Sequence, residues 1–126
     1  MPQDKNILIL DDDRAVRVSM KGFFVDYGYE VYVAKSTKEG KSIIESVEID
    51  LALVDLRLPD KNGIEFIRMS YPTNPNTAFI IYTGSLKYDV PEEVKNLSQV
   101  ANKIYIKPLQ DLNIFIEKMK EIQNNL

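Results

Sequence analysis

The sequence contains no cysteine and no histidine among its 126 residues. Without cysteine, the chain has no disulfide, no thiol nucleophile and no thiolate ligand for a metal ion. Without histidine, it also lacks the side chain that most often moves protons near neutral pH and binds zinc. Any chemistry of this chain must therefore rest on carboxylates, hydroxyl groups and lysines.

Long apolar runs and an excess of positive charge are missing as well. No run approaches the roughly 18 apolar residues of a membrane-spanning helix. The polar first five residues, MPQDK, do not resemble a signal peptide. The net charge of −3 and the lack of a basic face give nucleic acid no surface to bind. We therefore expect a cytoplasmic protein that binds neither a membrane nor nucleic acid directly.

The composition that remains is typical of one globular domain. Hydrophobic residues make up 44% of the chain and charged residues 28%, which is close to the average for folded domains. A length of 126 residues lies near the commonest domain size. The chain has no internal repeat, low-complexity segment or Gly/Ser-rich linker. We expect residues 1–126 to form a single domain.

Short apolar runs alternate with segments of helical periodicity. The runs predict strands at residues 7–10, 31–34, 51–54, 78–82 and 103–106. The first helix is predicted to end near residue 27, and the second is capped by Ser36 or Thr37. A short third helix covers about 64–71, a weak fourth 91–100, and a terminal helix about 112–122. This alternation predicts a parallel sheet with helices on both faces.

Polar residues follow the predicted strands at the points where they end. Asp11, Asp12 and Asp13 follow the first strand, Asp55 the third, Thr83 the fourth and Lys107 the fifth. In parallel α/β sheets, ligands bind beyond the carboxyl ends of the strands. We therefore expect these side chains to meet at one edge of the sheet, with Asp13 as a cap of the first helix.

The expected group of carboxylates requires a cation. Two carboxylates about 4 Å apart repel by about 4 kcal/mol at an effective dielectric constant near 20. Oxygen ligands without histidine or cysteine favour a hard ion such as Mg²⁺, which usually keeps several waters and binds a phosphate. Asp55 would act as the nucleophile toward a phosphoryl group. The charge of that group would be shared by the ion, the Thr83 hydroxyl and the Lys107 ammonium.

The motifs in this order resemble a known family. They are Asp11-Asp12 after an apolar strand, the run from Asp55 to Gly63 (DLRLPDKNG), Thr83-Gly84 and Lys107-Pro108. Together they resemble the receiver domain of two-component response regulators over about residues 5–124. The resemblance implies a flavodoxin-like (βα)5 fold. This α/β fold is a three-layer sandwich with a parallel five-stranded sheet of order 2-1-3-4-5.

The resemblance also implies a role for each residue. Asp55 would be the phosphoacceptor, with Thr83 and Lys107 binding the phosphoryl group. The Mg²⁺ ligands would be Asp12, Asp55, the backbone carbonyl of Arg57 and, through water, Asp11. A sensor histidine kinase or histidine phosphotransfer protein would supply a phosphohistidine. The chain would catalyse only its own phosphorylation and dephosphorylation, in a phosphorelay read by an unknown output protein or domain. Homodimers are common among such relatives.

One position departs from the family pattern. Three residues before the lysine, many receivers carry a Tyr or Phe that turns inward when the threonine follows the phosphoryl group, whereas this chain has Ile104 at that switch position. Strand alternation predicts that Tyr105 faces the opposite side of the sheet. We expect the output surface to respond weakly, or through residues 84–90, and the fourth helix to be short. Tyr82 and Tyr105 are expected to be packing residues.

Two other functions stay open from the sequence. Residues 7–15 also approach the acidic motif of haloacid-dehalogenase-like phosphatases, with Asp11 as nucleophile and Asp13 as acid/base. That function needs a later acidic pair at a strand end, and the acidic residues after Lys107 are Asp111, Glu117 and Glu121, at or within the predicted terminal helix. The other alternative is a receiver fold used as a docking module without phosphorylation. The chain is expected to be either a stand-alone receiver or part of a longer regulator.

Overall fold

A computed structural model describes residues 4–85 and 89–126, and in this part of the chain strands and helices alternate as predicted. The elements are β1 (Asn6–Leu10), α1 (Arg14–Asp26), β2 (Glu30–Ala34), α2 (Thr37–Ser46), β3 (Leu51–Val54), α3 (Gly63–Ser70), β4 (Ala78–Thr83), α4 (Glu92–Lys95), β5 (Tyr105–Ile106) and α5 (Asn113–Asn124). A short 3-10 helix, Tyr71–Thr73, follows α3.

The strands form one parallel sheet of order β2-β1-β3-β4-β5. Leu10 lies opposite Ala34 on one side and Val54 on the other, and Val54 lies opposite Ile81. The strands therefore end close to one edge of the sheet. The flavodoxin-like fold with strand order 2-1-3-4-5 is confirmed.

Helices cover both faces of the sheet and create two apolar layers. One layer holds core residues of α1 and α5. The other holds core residues of α2, α3 and α4. Every residue of β3 and β4 is buried, which explains why these strands are continuous apolar runs. None of the helices described at residues 4–85 and 89–126 has the length and apolar character of a membrane span.

Local side chains set the ends of the first two helices. Asp13 caps α1 by accepting a hydrogen bond from the Ala15 N–H, so the predicted cap is confirmed. Ser36 caps α2 by accepting from the Glu39 N–H. After α1, Gly28 has a φ of 92°, a left-handed conformation that favours glycine.

The fourth helix is short, as expected, and both it and the last strand cover fewer residues than the ranges predicted for them. The helix expected over residues 91–100 has four residues, and the strand expected over 103–106 has two. Gln99, inside the predicted range, bonds to the start of β4 and to the segment before it instead of continuing the helix. Its carbonyl accepts from the Phe79 N–H at 2.7 Å, and its side-chain amide donates to the carbonyls of Asn74 at 2.7 Å and Thr77 at 3.0 Å. These bonds draw the chain alongside the start of β4.

Candidate functional site

Main-chain hydrogen bonds place the expected site residues at the edge of the sheet. The Asp55 N–H donates to the Leu10 carbonyl at 2.9 Å, directly before Asp11. The Lys107 N–H donates to the Thr83 carbonyl, also at 2.9 Å. Both bonds continue the ladders between neighbouring strands, so the sheet itself positions these residues.

Three carboxylates form the centre of this edge. Oxygen atoms of Asp11, Asp12 and Asp55 all lie within 4.8 Å of one another. Asp11 and Asp55 are buried, with 3% and 5% of their surface exposed, and Asp12 is exposed. At such distances the carboxylates repel one another, and burial of two of them weakens the screening by water.

Lys107 is the cation that faces this cluster. Its ammonium donates to Asp55 Oδ2 at 3.0 Å and to Asp11 Oδ2. Burial lowers the pKa of Lys107, but the hydrogen bonds and negative charges of Asp11 and Asp55 outweigh this effect and raise it above its usual value. Lys107 therefore stays charged. Among the residues that the structure describes, one ammonium contacts a group of three carboxylates, which together carry a formal charge of −2.

Asp11 is the carboxyl group of this cluster whose pKa is raised above its ordinary value. Burial raises the pKa of the Asp11 carboxyl group, and the negative charge of Asp55 acts in the same direction. The hydrogen bonds from Lys107 and from the Asp13 N–H oppose this shift without cancelling it. A further cation at this edge would favour the charged form of Asp11. Carboxylate oxygens are ligands that suit a hard divalent ion.

Arg17 supports Asp11 from α1, and sequence analysis missed it. Its Nη1 atom donates to the main-chain carbonyl of Asp11 at 2.8 Å. A separation of six residues that crosses from a strand end into a helix is not a periodic signal, so no sequence pattern pointed to this contact. Arg17 therefore helps to hold the main chain that carries the acidic group.

The segment after Asp55 packs tightly against it. The Arg57 N–H donates to Asp55 Oδ1 at 3.2 Å, whereas the predicted role of the Arg57 carbonyl stays a prediction. A Cβ atom on Gly63 would lie 2.3 Å from the Asp55 carbonyl oxygen. Position 63 thus needs glycine because the start of α3 passes directly over the phosphoacceptor candidate.

Asp60, in the loop before α3, caps the neighbouring helix α2. Its carboxylate accepts from the N–H groups of Thr37 at 2.9 Å and Lys38 at 3.0 Å. It also accepts from the Lys61 N–H at 2.9 Å. No sequence pattern pointed to this partner. The contacts tie the loop that follows Asp55 to the first turn of α2.

Replacing Asp60 with alanine is expected to lower the free energy of unfolding by about 1 kcal/mol near neutral pH, because two N–H groups of α2 lose their acceptor. Burial raises the pKa of Asp60, but the N–H groups of Thr37, Lys38 and Lys61 together outweigh it and lower this pKa below its ordinary 3.8. The stabilisation is therefore complete above pH 3.8 and is lost as pH falls through the lower folded pKa. Urea unfolding at several pH values measures this. A difference between the two proteins that grows on acidification would contradict it.

Thr83 ends β4 as predicted for a strand-end residue. The side chain is fully buried, with 0% exposed, and its hydroxyl oxygen accepts from the Ser85 N–H at 3.2 Å. Its phosphoryl-binding role stays a prediction, as does any response of residues 84–90, because 86–88 lie outside the described residues.

Ile104 and Tyr105 face opposite sides of the sheet, as strand alternation predicted. Ile104 packs with the layer of α2, α3 and α4, whereas Tyr105 is buried in the layer of α1 and α5. The ring of Tyr105 therefore cannot take the place of the missing aromatic at position 104.

Comparisons with known proteins agree with the fold and the acidic edge. A model of the response regulator receiver domain family matches residues 7–118. Sporulation initiation phosphotransferase F of Bacillus subtilis is 25% identical over 124 residues, which cover 97% of this chain and 98% of that protein. Other matched relatives are longer, and the chain spans between 34% and 44% of their length.

Solved structures of receiver domains superpose on most of the chain. A CheY-like receiver domain protein of Methanospirillum hungatei is 33% identical, with a TM-score of 0.82 over 97% of this chain and 98% of that chain. Response regulator TrrA of Thermotoga maritima is 22% identical, with a TM-score of 0.77 over 94% of this chain and 98% of that chain, a likeness that shows the fold alone. With a family match that covers most of its length, the chain belongs to the receiver domain family of response regulators in two-component signalling.

Proposed function

We propose that residues 1–126 form one receiver domain that accepts a phosphoryl group on Asp55. The donor is a phosphohistidine on a sensor histidine kinase or a histidine phosphotransfer protein of a phosphorelay. One observation carries the proposal: the Lys107 ammonium contacts the carboxylates of both Asp11 and Asp55. These three residues follow three different strands, so the fold brings together an acceptor and the charges that a phosphoryl group requires.

The transfer exchanges a phosphorus–nitrogen bond for a phosphorus–oxygen bond. A carboxylate oxygen of Asp55 attacks phosphorus while the bond to the donor imidazole breaks. The imidazole leaves with the electron pair and takes up a proton. The Thr83 hydroxyl and the Lys107 ammonium contact the phosphoryl oxygens and stabilise their charge. The domain is not an enzyme in the usual sense, because it acts only on its own Asp55 in phosphorylation and dephosphorylation.

The residues present fit a Mg²⁺ ion. The donor set is made of carboxylate oxygens within 4.8 Å of one another, and their negative charge exceeds that of the single lysine. Asp12, Asp55 and the Arg57 carbonyl would bind the ion directly, and Asp11 through water. When bound, the ion would neutralise charge on the phosphoryl oxygens. The structure of TrrA is a complex with Mg(2+)-BeF, which supports the proposal by analogy of fold.

The readout of phosphorylation differs from the family pattern because Ile104 replaces the switch aromatic. We expect the surface of α4, β5 and α5 to respond weakly, or through residues 84–90, when an output protein or domain reads the signal in the cytoplasm. Homodimer formation stays a prediction. Amide NMR shifts on addition of beryllofluoride and Mg²⁺ test the readout. Shifts centred on Ile104 as strongly as on residues 84–90 would contradict it.

The phosphoacceptor assignment is tested by intact mass after incubation with Mg²⁺ and a small phosphodonor such as phosphoramidate. The wild-type protein is expected to gain one phosphoryl group, and the Asp55→Asn variant none, because the amide is no longer a carboxylate nucleophile. Asp26→Asn is the matched control, since Asp26 is an exposed carboxylate at the end of α1, and it should keep the adduct.

Other outcomes would identify the alternative functions. A wild-type protein without any adduct would favour the docking module. Turnover of a phosphoester that is lost in Asp11→Asn would favour the phosphatase. The described structure gives that function no second acidic pair at a strand end. Asp111 accepts from the Asn113 N–H at the start of α5, and Glu117 and Glu121 are exposed on the same helix.

A further inference from the structure

Tyr82 is a buried aromatic residue next to the site, one position before the end of β4. It has 6% of its surface exposed and lies opposite Tyr105 in the register of β4 and β5. Both rings pack edge-on against Phe115 of α5, with centroid distances of 4.9 Å for Tyr82 and 5.4 Å for Tyr105. The two tyrosine rings thus share Phe115 as an aromatic neighbour, and packing accounts for the presence of an aromatic ring at both positions.

The hydroxyl group distinguishes Tyr82 from Tyr105. The Tyr82 hydroxyl oxygen accepts a hydrogen bond from the Leu109 N–H at 2.9 Å. Leu109 lies two residues after Lys107, and the intervening Pro108 has no N–H of its own. Among the described residues, no comparable main-chain bond to the Tyr105 hydroxyl is seen.

Two successive residues of β4 therefore hold the turn that carries Lys107. Thr83 binds the start of the turn through its carbonyl and the Lys107 N–H, at 2.9 Å. Tyr82 binds the end of the turn through its hydroxyl and the Leu109 N–H. The Lys107 ammonium lies 5.8 Å from the centroid of the Tyr82 ring, so the same side chain also borders the cation.

A fixed main chain matters because the lysine side chain is long. Its four rotatable bonds allow many positions for the ammonium. A main chain that is held in one conformation reduces the number of positions that the ammonium can reach. Effective stabilisation of a transferring phosphoryl group requires that the charge is in place before the reaction. A second anchor on the turn would supply this preorganisation.

We propose that Tyr82 is a positioning residue for phosphoryl transfer, whose hydroxyl holds the turn of residues 107–109 so that the Lys107 ammonium lies between Asp11 and Asp55. The effect on the transfer rests on the function proposed above for Asp55 and Lys107. The effect on the position of Lys107 rests only on the hydrogen bond between Tyr82 and Leu109.

Tyr82→Phe tests the proposal because it removes the hydroxyl and keeps the ring. The variant should fold, since a cleft of about 260 Å³ between α1 and the turn, lined by Val16, Tyr82 and Leu109, lets water reach the freed N–H. Tyr105→Phe is the matched control. It removes one hydroxyl from the strand partner, in contact with the same Phe115 ring.

Two measurements are compared in the variants. Amide hydrogen exchange at Leu109 reports whether the hydrogen bond to Tyr82 is intact, and the side-chain NMR signals of Lys107 report the position of its ammonium. Neither measurement needs a phosphodonor. The maximal rate of phosphorylation with phosphoramidate, at saturating Mg²⁺, reports whether the position of Lys107 affects phosphoryl transfer. In Tyr82→Phe we expect exchange at Leu109 to be about tenfold faster and the maximal rate about three- to tenfold lower, the range of one hydrogen bond.

Tyr105→Phe should leave Leu109 exchange, the Lys107 signals and the phosphorylation rate as in the wild-type protein. An unchanged rate in Tyr82→Phe, or equal losses in both variants, would overturn the proposal, because equal losses report shared packing. If the wild-type protein accepts no phosphoryl group, the function proposed above fails. The NMR measurements then decide, and Lys107 signals that do not move in Tyr82→Phe would overturn the positioning role.

Discussion

Replacing Gly63 with alanine is expected to lower the free energy of unfolding by about 2 to 3 kcal/mol, near the upper end for overpacked sites. The added Cβ would lie 2.3 Å from the Asp55 carbonyl oxygen and 2.6 Å from Cγ1 of Val54. Neither neighbour can give way easily, because the Asp55 N–H is bound to Leu10 in the sheet and Val54 is fully buried. Urea unfolding followed by far-UV circular dichroism measures the change.

Gly22→Ala is the control with the opposite expected sign. Gly22 lies inside α1, and a Cβ there would meet nothing within 4 Å. Alanine in a helix interior is favoured over glycine, so this variant should be more stable by about 0.5 to 1 kcal/mol. If both variants were stabilised, or both destabilised to the same extent, the close approach of α3 to Asp55 would not be the cause.

The strands and most helices could be predicted because their sequence patterns are local. Residues 51–54 and 78–83 are buried at every position, and continuous apolar runs of this length report such burial directly. The short α4 was expected, but the contacts made after it by Gln99 could not be predicted. Its side-chain amide binds the carbonyls of Asn74 and Thr77, which lie 25 and 22 residues away in the sequence.

The charged members of the site could be predicted for a related reason. Parallel strands deliver their final residues to one edge, so Asp11, Asp55 and Lys107 were expected to meet, and the structure brings them together. Their supports could not be predicted. Asp60 binds Thr37 across 23 residues and Tyr82 binds Leu109 across 27, and neither spacing has a periodic signal.

The site thus combines firm placement with an unbalanced charge. Main-chain bonds of the sheet fix Asp55 and Lys107, while three carboxylates face one ammonium. The proposed function needs both properties, because the proposed acceptor must be in position while the uncompensated negative charge would attract a divalent ion. The most direct test of the imbalance is to remove the ammonium.

Replacing Lys107 with methionine is expected to lower the free energy of unfolding by about 3 kcal/mol in the absence of Mg²⁺, the cost of breaking a buried ion pair by removing one partner. Methionine keeps much of the apolar side chain, so the change reports the charge. The carboxylates of Asp11 and Asp55 have only 4% and 6% of their side chains exposed, and the repulsion between them would then be opposed by no ammonium from Lys107.

Mg²⁺ should restore most of the stability lost in Lys107→Met, because a cation that binds only the folded state stabilises it by about 2.7 kcal/mol at a hundred times its Kd. The variant should also bind Mg²⁺ more tightly than the wild-type protein, since the ion no longer competes with the ammonium for Asp11 and Asp55. Urea unfolding with and without Mg²⁺ gives both quantities.

Lys120→Met, at an exposed position of α5, is the control and should change stability by less than about 0.5 kcal/mol. Equal Mg²⁺ affinity in Lys107→Met and the wild-type protein would show that ion and lysine do not share these carboxylates.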